Sequence, residues 1–198
     1  MNPLKSIMGT IILGFILAVV AVFALGINQQ PNPWALWVWL HVIIGIVWVG
    51  LLYYFNFVQV PGVGKALADK EPGPAAINKY IAPTALLWFR WAALGTWLTG
   101  MLALEAMHFP EGSGVVAAFT FSKGYATIGL GAWLGTIMML NVWGLIWRNQ
   151  KKILGMVEAT DEEIVKAKFV ALMASRVNVV LSIPMLLAMT GQGHGSIF

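Results

Sequence analysis

The residues of this chain best suited to chemistry are its three histidines, His41, His108 and His194. Cysteine is absent. That removes disulfides, thiolate zinc sites, iron–sulfur sites and a cysteine nucleophile. It also removes any C-x-x-C-H motif, so a haem would have to be held by side chains alone. Neutral imidazole is a common ligand for haem iron and other metals. His41 most needs explaining, because it is flanked on both sides by long apolar sequence, and an ionisable group within lipid is costly without a partner. At helical spacing His41, Gly45, Trp48 and Leu52 fall at i, i+4, i+7 and i+11, on one face. Gly45 would leave a flat space one turn from the imidazole for a porphyrin, and Trp48 could stack on its edge. The same stripe could equally accept a neighbouring helix.

Other polar residues in apolar surroundings carry weaker signals. Arg90 and Arg176 either snorkel to the interface or hold an anionic group, such as a haem propionate or a carboxylate. Glu105 is the best acidic candidate for proton transfer, and an exposed interfacial role serves it as well. Asn141 and Asn178 read as hydrogen-bond partners between helices rather than ligands. Gly131-x-x-x-Gly135 reads as a close helix contact. Ten methionines and three histidines raise copper handling as an alternative. Against it stand the lack of His-x-His, of an outward Met-x-x-Met cluster and of cysteine.

The elements that must position these residues follow from composition. Of 198 residues, 59% are hydrophobic and 10% charged, against about 25% charged in a typical soluble domain. A soluble globule cannot hide that much apolar surface, and a disordered chain needs more charge. The sequence predicts an all-α integral membrane bundle, read as one domain over 1–198. About 20 mostly apolar residues are needed per span. Five stretches qualify, near 7–27, 34–57, 85–107, 125–147 and 169–190. The first is longer than a signal-peptide core of about 7–15 residues, so a retained helix is expected. Pro83 marks the entry to the third. Thr160 and Glu163 form a capping-box pattern, so the fifth helix is expected to begin near Asp161. Pro72-Gly73-Pro74 breaks the second connection. His41 would then lie about seven residues inside the second span, roughly 10 Å deep.

The formal net charge is +4. In this setting it reflects cytoplasmic Lys and Arg rather than nucleic-acid binding. Lys65, Lys70 and Lys79 fall in the second connection, and Arg148, Lys151, Lys152, Lys166 and Lys168 in the fourth. The first connection and the C-terminal tail carry no Lys or Arg, and the third only Lys123. The positive-inside rule therefore predicts a cytoplasmic N-terminus and an outside C-terminus. All three histidines then fall toward the outside, and Arg90 and Arg176 toward the cytoplasm.

One set of motifs is more specific. Trp39-Leu40-His41-x6-Trp48-x-Gly50 is followed by Leu52-Tyr53-Tyr54-Phe55-Asn56-Phe57-Val58-Gln59. Further along stand Asn141-Val142-Trp143, Ile146-Trp147, Gln150-Lys151 and Leu181-Ser182-Ile183-Pro184-Met185, then a histidine near the end. Together these resemble the membrane domain of the bacterial urate hydroxylase family, over roughly residues 34–194. The histidine helix is also loosely similar to that of membrane protoporphyrinogen oxidases and copper-resistance membrane proteins, whose matching histidine is associated with haem or metal. The resemblance implies a bacterial inner-membrane protein holding haem b and exchanging electrons with a cytochrome c on the outer side. Family members often carry that cytochrome c as a C-terminal domain; here it is expected as a separate partner. His41 is the expected axial ligand, His194 the second, and His108 the reserve. The Gly191-Gln192-Gly193 run is expected to turn His194 inward, with Pro184 bending the helix. Oxidation of urate or a similar purine is the enzymatic form of this reading. The other reading is a non-catalytic accessory subunit packed on a larger respiratory or photosynthetic complex. A homo-oligomer is possible, and a stable isolated one would oppose the accessory reading.

Overall fold

In the computed structural model the chain is helical, with no strand among the residues it describes, which are 2–26, 30, 32–107 and 112–195. The contacts divide it into two units, Met1–Pro33 and Trp34–Phe198. The first unit holds α1 (Ile7–Leu25), capped by Ser6, whose hydroxyl accepts from the Gly9 N–H. None of its residues is buried, as suits a helix meant for lipid.

The second unit takes in α2 (Pro33–Tyr54) from its second residue onward. A π segment, Phe55–Gln59, joins it without a break to α3 (Val60–Asp69). Another π segment, Ile77–Ile81, leads into α4 (Ala82–Ala106), with Pro83 in its first turn. The rod is continuous through Pro83, which has no N–H to donate and stands just after the wider spacing of the π segment. The short α5 (Gly114–Phe119) follows, then α6 (Ala126–Asn141), a third π segment at Val142–Ile146, and α7 (Trp147–Ile153). The long α8 (Asp161–His194) opens on a complete capping box between Thr160 and Glu163. Its start at Asp161 agrees with the sequence.

Among the described residues, four helical runs are long and apolar enough to cross a membrane: Ile7–Leu25, Pro33–Asp69, Ala126–Ile153 and Asp161–His194. The stretch expected as the third span forms the 25-residue α4. It is long enough but less apolar, since it carries Arg90, Glu105 and three threonines. The helices also run past the lipid-sized stretches read from the sequence, because π segments and charged turns continue the same hydrogen-bonded rods.

Within the second unit, α2, α4, α6 and α8 close a ring of contacts. Trp48, Leu52 and Phe55 of α2 and its π segment pack with Leu86 and Phe89 of α4 and with Met138 and Val142 of the α6 run. Phe55 meets Phe89 edge-on, with centroids 5.4 Å apart. In lipid such contacts act by close packing and interhelical hydrogen bonds rather than by expelling water. Such bonds are present on all four sides of the ring, the one between α2 and α4 joining His41 to Thr96. Trp97 Nε1 donates to Thr136 Oγ1 at 3.0 Å, between α4 and α6. Tyr53 and Ser182 hydroxyls meet at 2.9 Å, between α2 and α8. Asn141 donates to Asn178 at 2.7 Å, and Asn178 to the Met138 carbonyl at 3.0 Å, between α6 and α8. The two asparagines thus do the structural work expected of them. Of the Gly131/Gly135 pair, only Gly131 makes the expected close contact. A β-carbon there would come within 3.2 Å of Met189, whereas none would meet anything at Gly135.

Candidate functional site

The site is built on the contact between α2 and α4. His41 points from α2 onto α4, where Nδ1 lies 2.8 Å from the Thr96 carbonyl. A carbonyl only accepts, so Nδ1 carries the hydrogen. In the neutral ring, Nε2 then holds the free lone pair. This is the arrangement in which histidines bind metals, with one nitrogen oriented by a backbone carbonyl and the other presented to the ligand.

Two glycines of α4 make the approach possible. A β-carbon at Gly100 would stand 2.9 Å from His41 Cε1, and one at Gly95 3.2 Å from Ile44. Between them, Thr96 and Thr99 face inward and are buried. The Thr99 hydroxyl donates to the carbonyls of Gly95, at 2.7 Å, and Thr96, at 3.1 Å. The Thr96 carbonyl therefore receives two hydrogen bonds, one from each helix.

Of the stripe read around His41, Trp48 and Leu52 are buried, at 2% and 0% exposure. The space at Gly45 faces the Thr96 methyl, 3.6 Å from where a β-carbon would sit. The side of α2 read as a porphyrin surface is thus largely a helix-packing surface at Gly45, and Nε2 of His41 makes no hydrogen bond among the described residues, unlike Nδ1. On this contact Thr96 Oγ1 has no partner, and two turns further along α2 neither has the Trp48 Nε1 donor. Each such atom costs about 1–3 kcal/mol when buried, so the interface has places for an additional polar group. The residues fit a group that takes one imidazole nitrogen and makes polar contacts beside it.

His194 stands elsewhere. The Gly191–Gly193 run does not turn; it continues α8 as helix to His194. Gln192 holds it there, its Oε1 accepting from the Ile128 N–H at 3.2 Å and its Nε2 donating to the Gly124 carbonyl at 3.1 Å. His194 is exposed, and Nδ1 donates to the Thr190 carbonyl at 3.1 Å on its own helix. Its Nε2 is likewise the free nitrogen. The partners of His41 lie on α4 and those of His194 on α8, so no shared partner joins the two rings. His108 lies outside the described residues. Among those described, no group of three or more His, Cys, Asp or Glu side chains could hold a metal ion.

Of the remaining candidates, Arg90 and Glu105 have structural partners. The Arg90 guanidinium lies 3.8 Å from the centroid of the Trp147 ring, a cation–π contact. Arg176 is exposed. Glu105 accepts from Ser113 Oγ at 2.6 Å and from the Val115 N–H at 3.4 Å, anchoring the start of α5. Sequence reasoning missed Thr96, Gly95 and Gly100, the α4 surface that receives His41. A Gly-Thr-x-x-Thr-Gly pattern of small residues inside a tryptophan-rich helix was the available signal.

Residues 113–198 match a protein-family model described as urate oxidase N-terminal. The stretch contains α5 to α8, the Asn141-Val142-Trp143 and Leu181–Met185 motifs, and His194. It bears out the resemblance over that part of the chain; α2, with His41, precedes it. No curated protein matches the chain. No solved structure matches it either.

Proposed function

We propose that this chain is a five-span protein of the bacterial inner membrane that holds haem b through His41 and passes electrons to a cytochrome c outside. The observation that carries the reading is the His41–Thr96 hydrogen bond, 2.8 Å long, which leaves Nε2 as the nitrogen free to bind. The family match at 113–198 supports a urate hydroxylase-like membrane domain. Here α4 is counted as the third of five spans, beside the four more apolar runs, with the N-terminus cytoplasmic by the distribution of Lys and Arg.

A bound haem would supply a one-electron couple within the membrane. The chain's own contribution is orientation and shielding. Thr96 fixes the His41 tautomer, Gly100 lets the ring lie against α4, and the buried Trp48 closes the inner end of the contact. His194 remains the candidate second ligand and His108 the reserve. Among the described residues, the Glu105 carboxylate is engaged at α5, which favours electron exchange over hydroxylation of urate by this chain alone.

The test is an absorption spectrum of the protein purified in detergent from haem-replete cells. A Soret band that disappears in His41→Ala and survives in Arg176→Ala is expected. A colourless wild-type protein, or an unchanged band in His41→Ala, overturns the proposal.

A further inference from the structure

Arg90 is the only charged side chain in the first half of α4. It is half-buried, and it has a fixed seat. The guanidinium carbon lies over the Trp147 ring, 3.8 Å from its centroid. The Arg90 carbonyl accepts from Trp143 Nε1 at 3.1 Å, and Trp91 meets Trp143 edge-on with centroids 5.4 Å apart. These contacts lock one turn of α4 to α7 and to the π segment before it. Arg176 on α8 is the contrast, an exposed arginine with no ring beneath it among the described residues.

The seat leaves the charge unanswered. A guanidinium carries five N–H donors. The ion pair found among the described residues is Lys152–Glu163, so Arg90 receives no counter-charge from them. Its surroundings add positive charge instead. The α4 helix and the α6 run are antiparallel, with Trp97 meeting Thr136 and Arg90 meeting Trp143. Side chains tilt toward the N-terminus of their helix, so Arg90 leans toward the end where α7 carries its basic residues. There Lys151 follows Trp147 by four residues, one turn further on the same face. Trp88 and Trp91, both exposed, stand within one turn of Arg90. Tryptophan gathers at the headgroup level of a membrane, which is also the level of the lipid phosphates.

We infer that Arg90, seated on Trp147, and Lys151 bind the phosphate of an anionic phospholipid at the basic end of α4 and α7. A guanidinium matches phosphate oxygens through paired N–H bonds, and basic sites between membrane helices take anionic headgroups. Free phosphate offers the same oxygens, but exposed tryptophans beside the cation suit a ligand that brings acyl chains with it. Assigning the site to the cytoplasmic leaflet rests on the orientation proposed above. The site itself shares no residue with the His41 contact.

The experiment is native mass spectrometry of the full chain in detergent, titrated with phosphatidylglycerol, phosphatidylcholine and inorganic phosphate. Saturable binding of phosphatidylglycerol is expected, at least tenfold tighter than that of phosphatidylcholine and resistant to an equal concentration of inorganic phosphate. Arg90→Gln should weaken it about tenfold, the value of one charge-assisted contact, and Lys151→Gln about fivefold. The Lys151 side chain has no hydrogen bond or ion pair among the described residues, so that variant stays informative if Arg90→Gln loosens the helices. Arg176→Gln removes the same charge from a helix face without the seat and should leave the affinity unchanged. Equal binding of the two lipids overturns the inference. So does an equal loss in Arg176→Gln, or unchanged affinity in both Arg90→Gln and Lys151→Gln. Displacement by inorganic phosphate overturns it in favour of a free anion. A lipid-free dimer that dissociates in Arg90→Gln overturns it in favour of a second copy of the chain. Lipid masses are read with or without haem, so failure here leaves the Soret result standing, and the reverse.

Discussion

Gly100 and His41 are complementary in shape: a β-carbon on Gly100 would stand 2.9 Å from Cε1 of the imidazole, inside contact distance. The ring lies where it does because α4 has no side chain there. Gly100→Ala should push the ring off α4 and break its bond to the Thr96 carbonyl. The expected loss is about 1 kcal/mol of stability, together with the fixed Nδ1–H tautomer. Nitrogen NMR of the ring and unfolding in mixed micelles would check both. An unaltered tautomer would mean that Thr96 alone orients His41.

Asn178 is fully buried at 0% exposure and links Asn141 to the Met138 carbonyl. Asn178→Leu keeps the branched shape, adds some volume and removes both bonds, leaving polar groups on α6 without their partner. Interhelical bonds in membranes average about 0.6 kcal/mol each, and the abandoned partners add to the loss. A destabilisation of about 1–3 kcal/mol is expected, read from unfolding by SDS in mixed micelles.

Glu105 anchors α5 through Ser113 and Val115. Glu105→Ala should loosen α5 and speed amide exchange around 113–119, while any Soret band of the protein stays unchanged. Loss of turnover with folding and spectrum intact would instead make Glu105 a chemical group.

The connection between α7 and α8 is closed by the Lys152–Glu163 ion pair at 3.0 Å. The Thr160 N–H first, and Lys152 second, hold the Glu163 carboxyl below the ordinary carboxylate range. A lowered carboxyl pKa stabilises the fold above its unfolded value, and the effect is lost as pH falls through the folded one. Amides in the first turn of α8 should therefore exchange faster, relative to their intrinsic rates, as the medium is acidified through that range. Glu163→Gln keeps the capping pattern and should flatten this acid dependence, as hydrogen exchange would report.

The sequence made the helical class legible because long apolar runs, Pro83 and the Thr160/Glu163 box each act locally. The Asn141–Asn178 bond was legible too, since amides in apolar helices seek each other. What His41 touches was not. In a helix apolar on all sides, periodicity cannot tell the face that meets a neighbour from the face that meets lipid. Gly45 therefore read as open space, whereas Thr96 sits against it. The π segments were equally hidden, for Phe55–Gln59 and Val142–Ile146 are built of residues common in ordinary helix. The end of α8 misled for another reason: Gly191 and Gly193 suggested a turn, but the two bonds of Gln192 to the start of α6 hold those residues helical.

The π segments also act as phase shifters. Each accommodates an extra residue within a continuous rod, and one residue corresponds to a rotation of about 100°. The segment at Val142–Ile146 separates Asn141, facing α8, from the basic residues of α7. Removing one residue there would keep the rod while turning Arg148, Lys151 and Lys152 to another side. The polar seam and the charged end of the same helix can thus vary in register independently, so length changes of one residue at these points are the ones this fold is built to absorb.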